Sequence, residues 1–288
     1  MTGHQSPNSA NRREARTHRR ARIRRVLTAL TAPPVRLFAA AHLVVTRGST
    51  FEGKLLRQWN RLMSTESDLS RMDERAIRYR LRNLFELQHS LNEAVGAASV
   101  ALCKGHHPKH HLWIEHNRYI YDAIREGDRV IDIGCGASEY QQWIAEKAAE
   151  VLGVDLRPER VEESRGNNTR KNVRYELMDV TKSLPAGQFD VAICSHVLEH
   201  LDDPVSFLKA LALRVPRLIV KVPLADSHWT KLVRKEVGDF WMDDPDHRRE
   251  YSVEMLQEQF KESGWNPTEV IRGYDLRATA TSHLLGPA

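Results

Sequence analysis

Residues 130–138 read VIDIGCGAS: a short apolar run that delivers Asp132, Gly134 and Gly136 in quick succession. Glycines at such a point let the backbone pass close to a ligand, and the acid sets a negative charge beside it. A second apolar run, VLGVDL (151–156), ends in Asp155. A carboxylate about 20 residues after the glycines is placed to accept hydrogen bonds from a ribose diol. A third acid, Asp179, closes the alternating stretch VRYELMD (173–179), with Val180 behind it. Further on, CSHVLEHLDD (194–203) contains HVLEH, which matches H-x-x-E-H, the pattern of two zinc-binding histidines with a general-base glutamate. Finally, residues 225–252 carry His228 and His247, two groups able to take a proton near neutral pH.

Each pattern has competing chemistries. A dinucleotide fold needs G-x-G-x-x-G, but counting from Gly134 reaches Gly136 and then Glu139. A carboxylate at that helix N-terminus repels a pyrophosphate. Asp132 suits a cationic ligand better, and S-adenosylmethionine carries a sulfonium and an ammonium but no phosphate. The zinc pattern needs a helix that sets both histidines on one face, and a further ligand from elsewhere. HVLEH instead follows directly on the buried run FDVAICS (189–195). No metal is therefore expected. Glu199 and His200 are assigned to holding the turn, and Ser195 and His196 to a ligand beyond the strand end.

These residues need elements to position them. RVIDIGC, VLGVDL, VRYELMD, FDVAICS and RLIVKVPL (217–224) read as strands, with TEVIRGY and RATATSHLL as the last two. YQQWIAEKAAE, RPERVEESR, PVSFLKALALRV and SVEMLQEQFKESG read as helices; Pro204 opens the third and Gly264 closes the last. Alternating strands and helices predict an α/β fold: a doubly wound, mostly parallel seven-stranded sheet. Residues 106–288 form that domain. WIEHNRYIYDAI (113–124) is its first helix, and GHHPKHH (105–111) leads into it. Residues 225–252 are long for a strand-to-helix connection, and long loops in compact domains are usually functional. Trp229, Phe240 and Trp241 supply walls for an acceptor pocket there.

The N-terminal part is different in kind. Residues 1–25 hold eight arginines and one acid, a net charge of +7. Taking that from the chain's +5 leaves −2, so the rest has no basic character and nucleic acid is an unlikely partner. The basic tail reads as unstructured when unbound and dispensable for chemistry. Residues 26–45 are apolar but interrupted by Pro33, Pro34, Arg36 and His42, which argues against a membrane span and weakens a signal-peptide reading. With the arginines before it, residues 1–50 are the segment suited to peripheral membrane contact. Residues 51–105 carry leucines at helical spacing and predict a pair of amphipathic helices. Three sparse cysteines, Cys103, Cys135 and Cys194, make no disulfide framework and point to a reducing, cytoplasmic setting.

Taken in order, VIDIGCGAS, VLGVDL, YELMDV and FDVAICSHVLEHLDDP resemble the class I S-adenosylmethionine-dependent methyltransferases, a Rossmann-like family, and most of all the subgroup that includes quinone-biosynthesis and small-molecule enzymes. Ser138 stands where that family often has a third glycine. The resemblance implies S-adenosyl-L-methionine as cofactor. It assigns Asp132, Gly134 and Gly136 to the methionine part, Asp155 to the ribose, Asp179 and Val180 to the adenine, and Ser195 and His196 to the sulfonium side. In that subgroup the letters of HVLEH recur without zinc. The implied activity is O-methylation of a small molecule or a saccharide, since HPKHH faintly resembles a stretch in methyltransferases of polysaccharide pathways. His247 is the first choice of general base, with His228 and His196 behind it. Two other classes stay open: a catalytically silent cofactor-binding scaffold, and an RNA methyltransferase guided by the arginine tail.

Overall fold

The computed structural model describes residues 69–104, 117–137 and 140–285. The basic tail, the apolar segment, the GHHPKHH stretch, Ser138 and Glu139 lie outside these residues. The chain divides into two compact units, 1–79 and 80–288, with the boundary inside the first described helix.

Helix α1 runs Glu74–Leu102 without a break and contains the second of the two expected helices; the first, expected over residues 55–63, lies outside the described residues. Asp73 opens it, its carboxylate accepting the Ala76 N–H at 2.7 Å. Gly96 lies inside it, because one glycine costs a helix only about 1 kcal/mol. After α2 (Arg118–Ala123), strands and helices alternate: β1 (Arg129–Ile133), α3 (Tyr140–Ile144), β2 (Glu150–Asp155), α4 (Pro158–Asn167), β3 (Val173–Leu177) and β4 (Val191–Ser195). There follow α5 (Pro204–Ala212), β5 (Arg217–Pro223), α6 (Trp229–Glu236), α7 (Val253–Ser263), β6 (Trp265–Arg272) and β7 (Asp275–Ser282).

The seven strands form one sheet in the order β3-β2-β1-β4-β5-β7-β6. All neighbours from β3 to β5 pair in parallel, and β7 is antiparallel to both β5 and β6. The expected mostly parallel, doubly wound sheet is thus present. The central strands β1, β2, β4 and β5 read as mainly apolar runs because both faces are covered. The side-chain period of two divides each run: Ile131, Ile133, Ala192 and Cys194 enter one core with Phe207, Leu208 and Phe260 from α5 and α7. Val130, Val191 and Ile193 enter the other with Ile120, Ile144 and Val161 from α2, α3 and α4. Pro267, which has no N–H to donate, sits on edge strand β6 at a register irregularity.

Strand order reverses between β1 and β4, which places a crevice beyond their carboxyl ends. Residues 225–252 come back over that edge. They contain α6, where the sequence predicts only a long loop. Tyr251 N–H donates to the Pro223 carbonyl at 2.9 Å and Ala225 N–H to the Tyr251 carbonyl at 2.9 Å. Near the end of α6, Arg82 of α1 donates to the Val237 carbonyl, and the Arg234 guanidinium lies 4.3 Å from the Phe85 ring centroid.

Candidate active site

The glycine loop after β1 is held from below. Gly134 and Cys135 N–H donate to the Val154 carbonyl at 2.8 and 3.0 Å. Gly136 N–H donates to Asp155 Oδ2 at 2.9 Å, and Arg157 N–H donates to Asp155 Oδ1 at 2.9 Å. Gly134 and Gly136 have φ of 66° and 58°, values that favour glycine. Their surroundings differ. A Cβ on Gly134 would stand 2.7 Å from Val197 Cγ2, whereas one on Gly136 would meet nothing within 4 Å.

Asp132 lies behind this loop rather than on its open side. It is fully buried and accepts from Tyr140 Oη at 2.6 Å and Gln141 Nε2 at 2.8 Å. Gln141 also donates to the Cys135 carbonyl at 2.9 Å, so one amide ties the acid to the loop. Burial pushes the Asp132 pKa up to about 7; the two donors oppose that rise and the Asp155 charge adds to it. Asp179 lies just past β3, where Lys182 and Thr181 hold its pKa below the usual carboxylate range. Val180 packs, half-buried, against the core.

On the other side of the crevice, β4 ends in Ser195 and His196 follows with φ of 57°, rare for a non-glycine residue. His196 N–H donates to the Lys221 carbonyl at 2.7 Å. Its Nδ1 is 3.1 Å from Glu199 Oε1 and its Nε2 is 3.6 Å from Asp275 Oδ2. Lys221 Nζ, from mid-strand β5, is 3.7 Å from the same Asp275 oxygen and donates to Asn117 Oδ1 at 3.2 Å. Glu199, Asp275 and Lys221 are all buried. Leu198–His200 is a single 3-10 turn, so His196 and His200 are not presented on one α-helical face as the protease pattern requires.

The two histidines of residues 225–252 take different places. His228 is exposed at the start of α6, where its Nδ1 accepts the Thr230 N–H and lies 2.8 Å from Thr230 Oγ1. His247 is brought to the turn after β4. Arg248 N–H donates to the Glu199 carbonyl at 2.7 Å, and the His247 and His200 ring centroids are 4.9 Å apart. His247 Nδ1 is 3.3 Å from Glu250 Oε1. Burial lowers the His247 pKa, but Glu250 and the Glu199 charge outweigh it and leave the pKa above its ordinary value. Glu250 is anchored by the buried Lys231 Nζ at 2.7 Å, which also meets Asp243 at 2.7 Å. Trp229 and Phe240 are exposed, and Trp241 sits 5.1 Å from Lys235 Nζ.

The sequence reading missed four members of this arrangement: Tyr140, Gln141, Lys221 and Asp275. Lys221 had a visible signal, a lone cation inside the apolar run RLIVKVPL, since a lysine is almost never buried unless paired.

Residues 106–270 match the model of a family described as a methyltransferase domain. The chain belongs to this methyltransferase family. It falls among the class I S-adenosylmethionine-dependent methyltransferases, whose methyl donor is S-adenosylmethionine. Its known relatives include the ubiquinone biosynthesis O-methyltransferases of Xanthomonas axonopodis pv. citri (strain 306) and Bordetella avium (strain 197N), each 33% identical over 90 and 91 residues. The match covers 30% of this chain and only 38% of each relative. Among solved structures, a methyltransferase from Mesorhizobium loti is 18% identical with a TM-score of 0.46, over 58% of this chain and 97% of its own. The magnesium protoporphyrin IX methyltransferase of Synechocystis PCC 6803, with bound SAH, is 16% identical with a TM-score of 0.47, over 79% and 94%.

The residues present fit this methyl donor. The open space at the Gly136 Cβ position is a cradle that any side chain would fill. Asp155 uses one lone pair on each oxygen for a backbone N–H and keeps others for a diol. No phosphate-binding group is required of the loop. Among the described residues no helix is long and apolar enough to cross a membrane.

Proposed function

We propose that this protein is an O-methyltransferase that acts on a hydroxyl group of a small molecule. The observation that carries the reading is His196: a left-handed residue at the end of β4, its imidazole between the carboxylates of Glu199 and Asp275 at the crevice. S-adenosylmethionine, when bound, supplies an electrophilic methyl group. Gly134 and Gly136 would hold its methionine part, with Asp132 fixing the loop from behind. Asp155 would accept the ribose hydroxyls, Asp179 and Val180 would meet the adenine, and Ser195 would face the sulfonium side. His196 takes the hydroxyl proton, and Glu199 fixes the ring in orientation. His247 and His228 are the other two histidines of the acceptor side, and the geometry favours them less. One faces Glu250, and the other is engaged at the start of α6.

The names of the relatives support oxygen as the methylated atom and lend a saccharide no support. The exposed Trp229 and Phe240 support an acceptor with an apolar part. The test is transfer of a labelled methyl group to panels of small phenols, sugars and amines. Transfer to a phenolic oxygen is expected. His196→Asn is the informative variant, because asparagine tolerates positive φ. It should lower kcat about 10²-fold and leave the affinity for S-adenosylhomocysteine unchanged. An unchanged kcat would remove His196 from the chemistry, and absence of cofactor binding by the parent protein would end the reading altogether.

A further inference from the structure

We infer that Glu199, His200 and His247 form a site for a divalent first-row transition-metal ion, with zinc as the first fit. Each offers one ligand atom, and these atoms lie within 4.8 Å of one another. The three come from two segments far apart in sequence: the turn after β4, and the stretch that returns over the strand ends.

The surroundings of each group are those of a ligand. Histidines that bind metals almost always give their other ring nitrogen to a carboxylate or a carbonyl. His247 Nδ1 faces Glu250 Oε1 at 3.3 Å, and His200 Nδ1 faces the Asp246 carbonyl at 3.4 Å. Both rings therefore keep Nε2 for a metal. Glu250 is itself fixed by Lys231, so the His247 ring has an anchored support. Glu199 is fully buried; its Oε1 meets His196, while its Oε2 has no hydrogen-bond partner. A buried carboxylate oxygen without a partner is costly, and a cation would satisfy it.

The donor set narrows the ion. Two imidazoles and one carboxylate suit zinc and its neighbours, whereas magnesium and calcium prefer all-oxygen sites. Tetrahedral bonds of about 2.0–2.1 Å set ligand atoms roughly 3.4 Å apart, so the three groups must draw closer than they stand. His200 is exposed, and a change of its side-chain rotamer would bring it closer to the other two ligands. Three protein ligands leave a fourth position for water or for an oxygen of the acceptor. That last role rests on the O-methyl reading above; the metal site itself does not. HVLEH supplies two of the three ligands, Glu199 and His200, but in a different role from the protease pattern, in which that glutamate is a base.

The test is equilibrium dialysis of chelator-treated full-length protein against zinc, manganese and magnesium, read by elemental analysis. One equivalent of zinc is expected, with manganese weaker and magnesium weakest. His200→Ala and Glu199→Gln should each lower zinc affinity at least tenfold, whereas His283→Ala, an exposed histidine elsewhere, should not. His200→Ala alters an exposed side chain, so it keeps the test sound if the buried variants fail to fold. Affinity for S-adenosylhomocysteine is measured on the same samples. Cofactor binding without stoichiometric zinc would overturn the metal site and leave the methyltransferase reading standing. Zinc bound equally well by His200→Ala and Glu199→Gln would also overturn it.

Discussion

Gly134→Ala should destabilise the fold by about 2–5 kcal/mol, and Val197→Ala should rescue a defined part of that loss. Two effects add. Gly134 has φ of 66°, a region that costs an L-residue about 1–2 kcal/mol. The new Cβ would also stand 2.7 Å from Val197 Cγ2, about 1 Å inside normal carbon contact. Overpacking of that kind costs about 1–3 kcal/mol. Val197 is buried between His196 and the Leu198–His200 turn, so pressure on it passes directly to the residues around the crevice. Removing the two Val197 methyls costs roughly 1.5 kcal/mol by itself, at about 0.8 kcal/mol each. It leaves only Val197 Cβ near the new methyl, at 3.9 Å, which is an ordinary contact. In the Val197→Ala background, Gly134→Ala should therefore cost only the backbone part, about 1–2 kcal/mol. Urea unfolding of the four proteins yields the coupling as a double-mutant cycle. If Gly134→Ala costs the same in both backgrounds, the two side chains do not compete for space and the reasoning fails.

Asp155→Ala removes the acceptor of two backbone N–H groups as well as the proposed ribose contact. Calorimetry should show S-adenosylhomocysteine binding weakened by about 1.5–3 kcal/mol; full affinity in a folded variant would refute the assignment. Asp132→Asn tests burial of charge. The native pKa is about 7 against an ordinary 3.8, so between those pH values the folded state keeps a proton that the unfolded chain has lost. Stability from this group is greatest below the unfolded value and falls as pH rises to about 7, by about 1.4 kcal/mol per unit. The asparagine variant should lack that slope in denaturant titrations taken across the window, and an identical slope in both proteins would contradict the burial argument.

What the sequence by itself determined was local. Short, mainly apolar runs marked the buried strands β1, β2, β4 and β5, because a strand covered on both faces is apolar at nearly every position, with Asp132 and Lys221 as the buried exceptions. Ser252 and Gly264 bounded α7, since a hydroxyl satisfies a free N–H at one end and a left-handed glycine ends the other. The acids and glycines at strand ends were legible for the same reason: their spacing follows from one strand and the turn after it. Short elements were less legible. α6 has few residues and leaves Trp229 and Leu232 exposed, so its apolar face is not the mark of a core helix. α3 ends at Ile144, although the helical pattern continues to Glu150.

Only the tertiary structure decided which distant side chains share a site. His247 meets Glu199 across 48 positions because the Arg248 N–H bonds the Glu199 carbonyl and Lys231 pins Glu250. Asp275 reaches His196 because β7 inserts beside β5, a strand order that no local pattern encodes. Asp132 likewise reads as a ligand-facing acid in one dimension. The two-residue period of β1 turns it inward, toward Tyr140 and Gln141. Propensities and caps act over a few residues and are written in the chain. Strand order, facing and loop return are set by which surfaces bury one another, and that is a property of the folded whole.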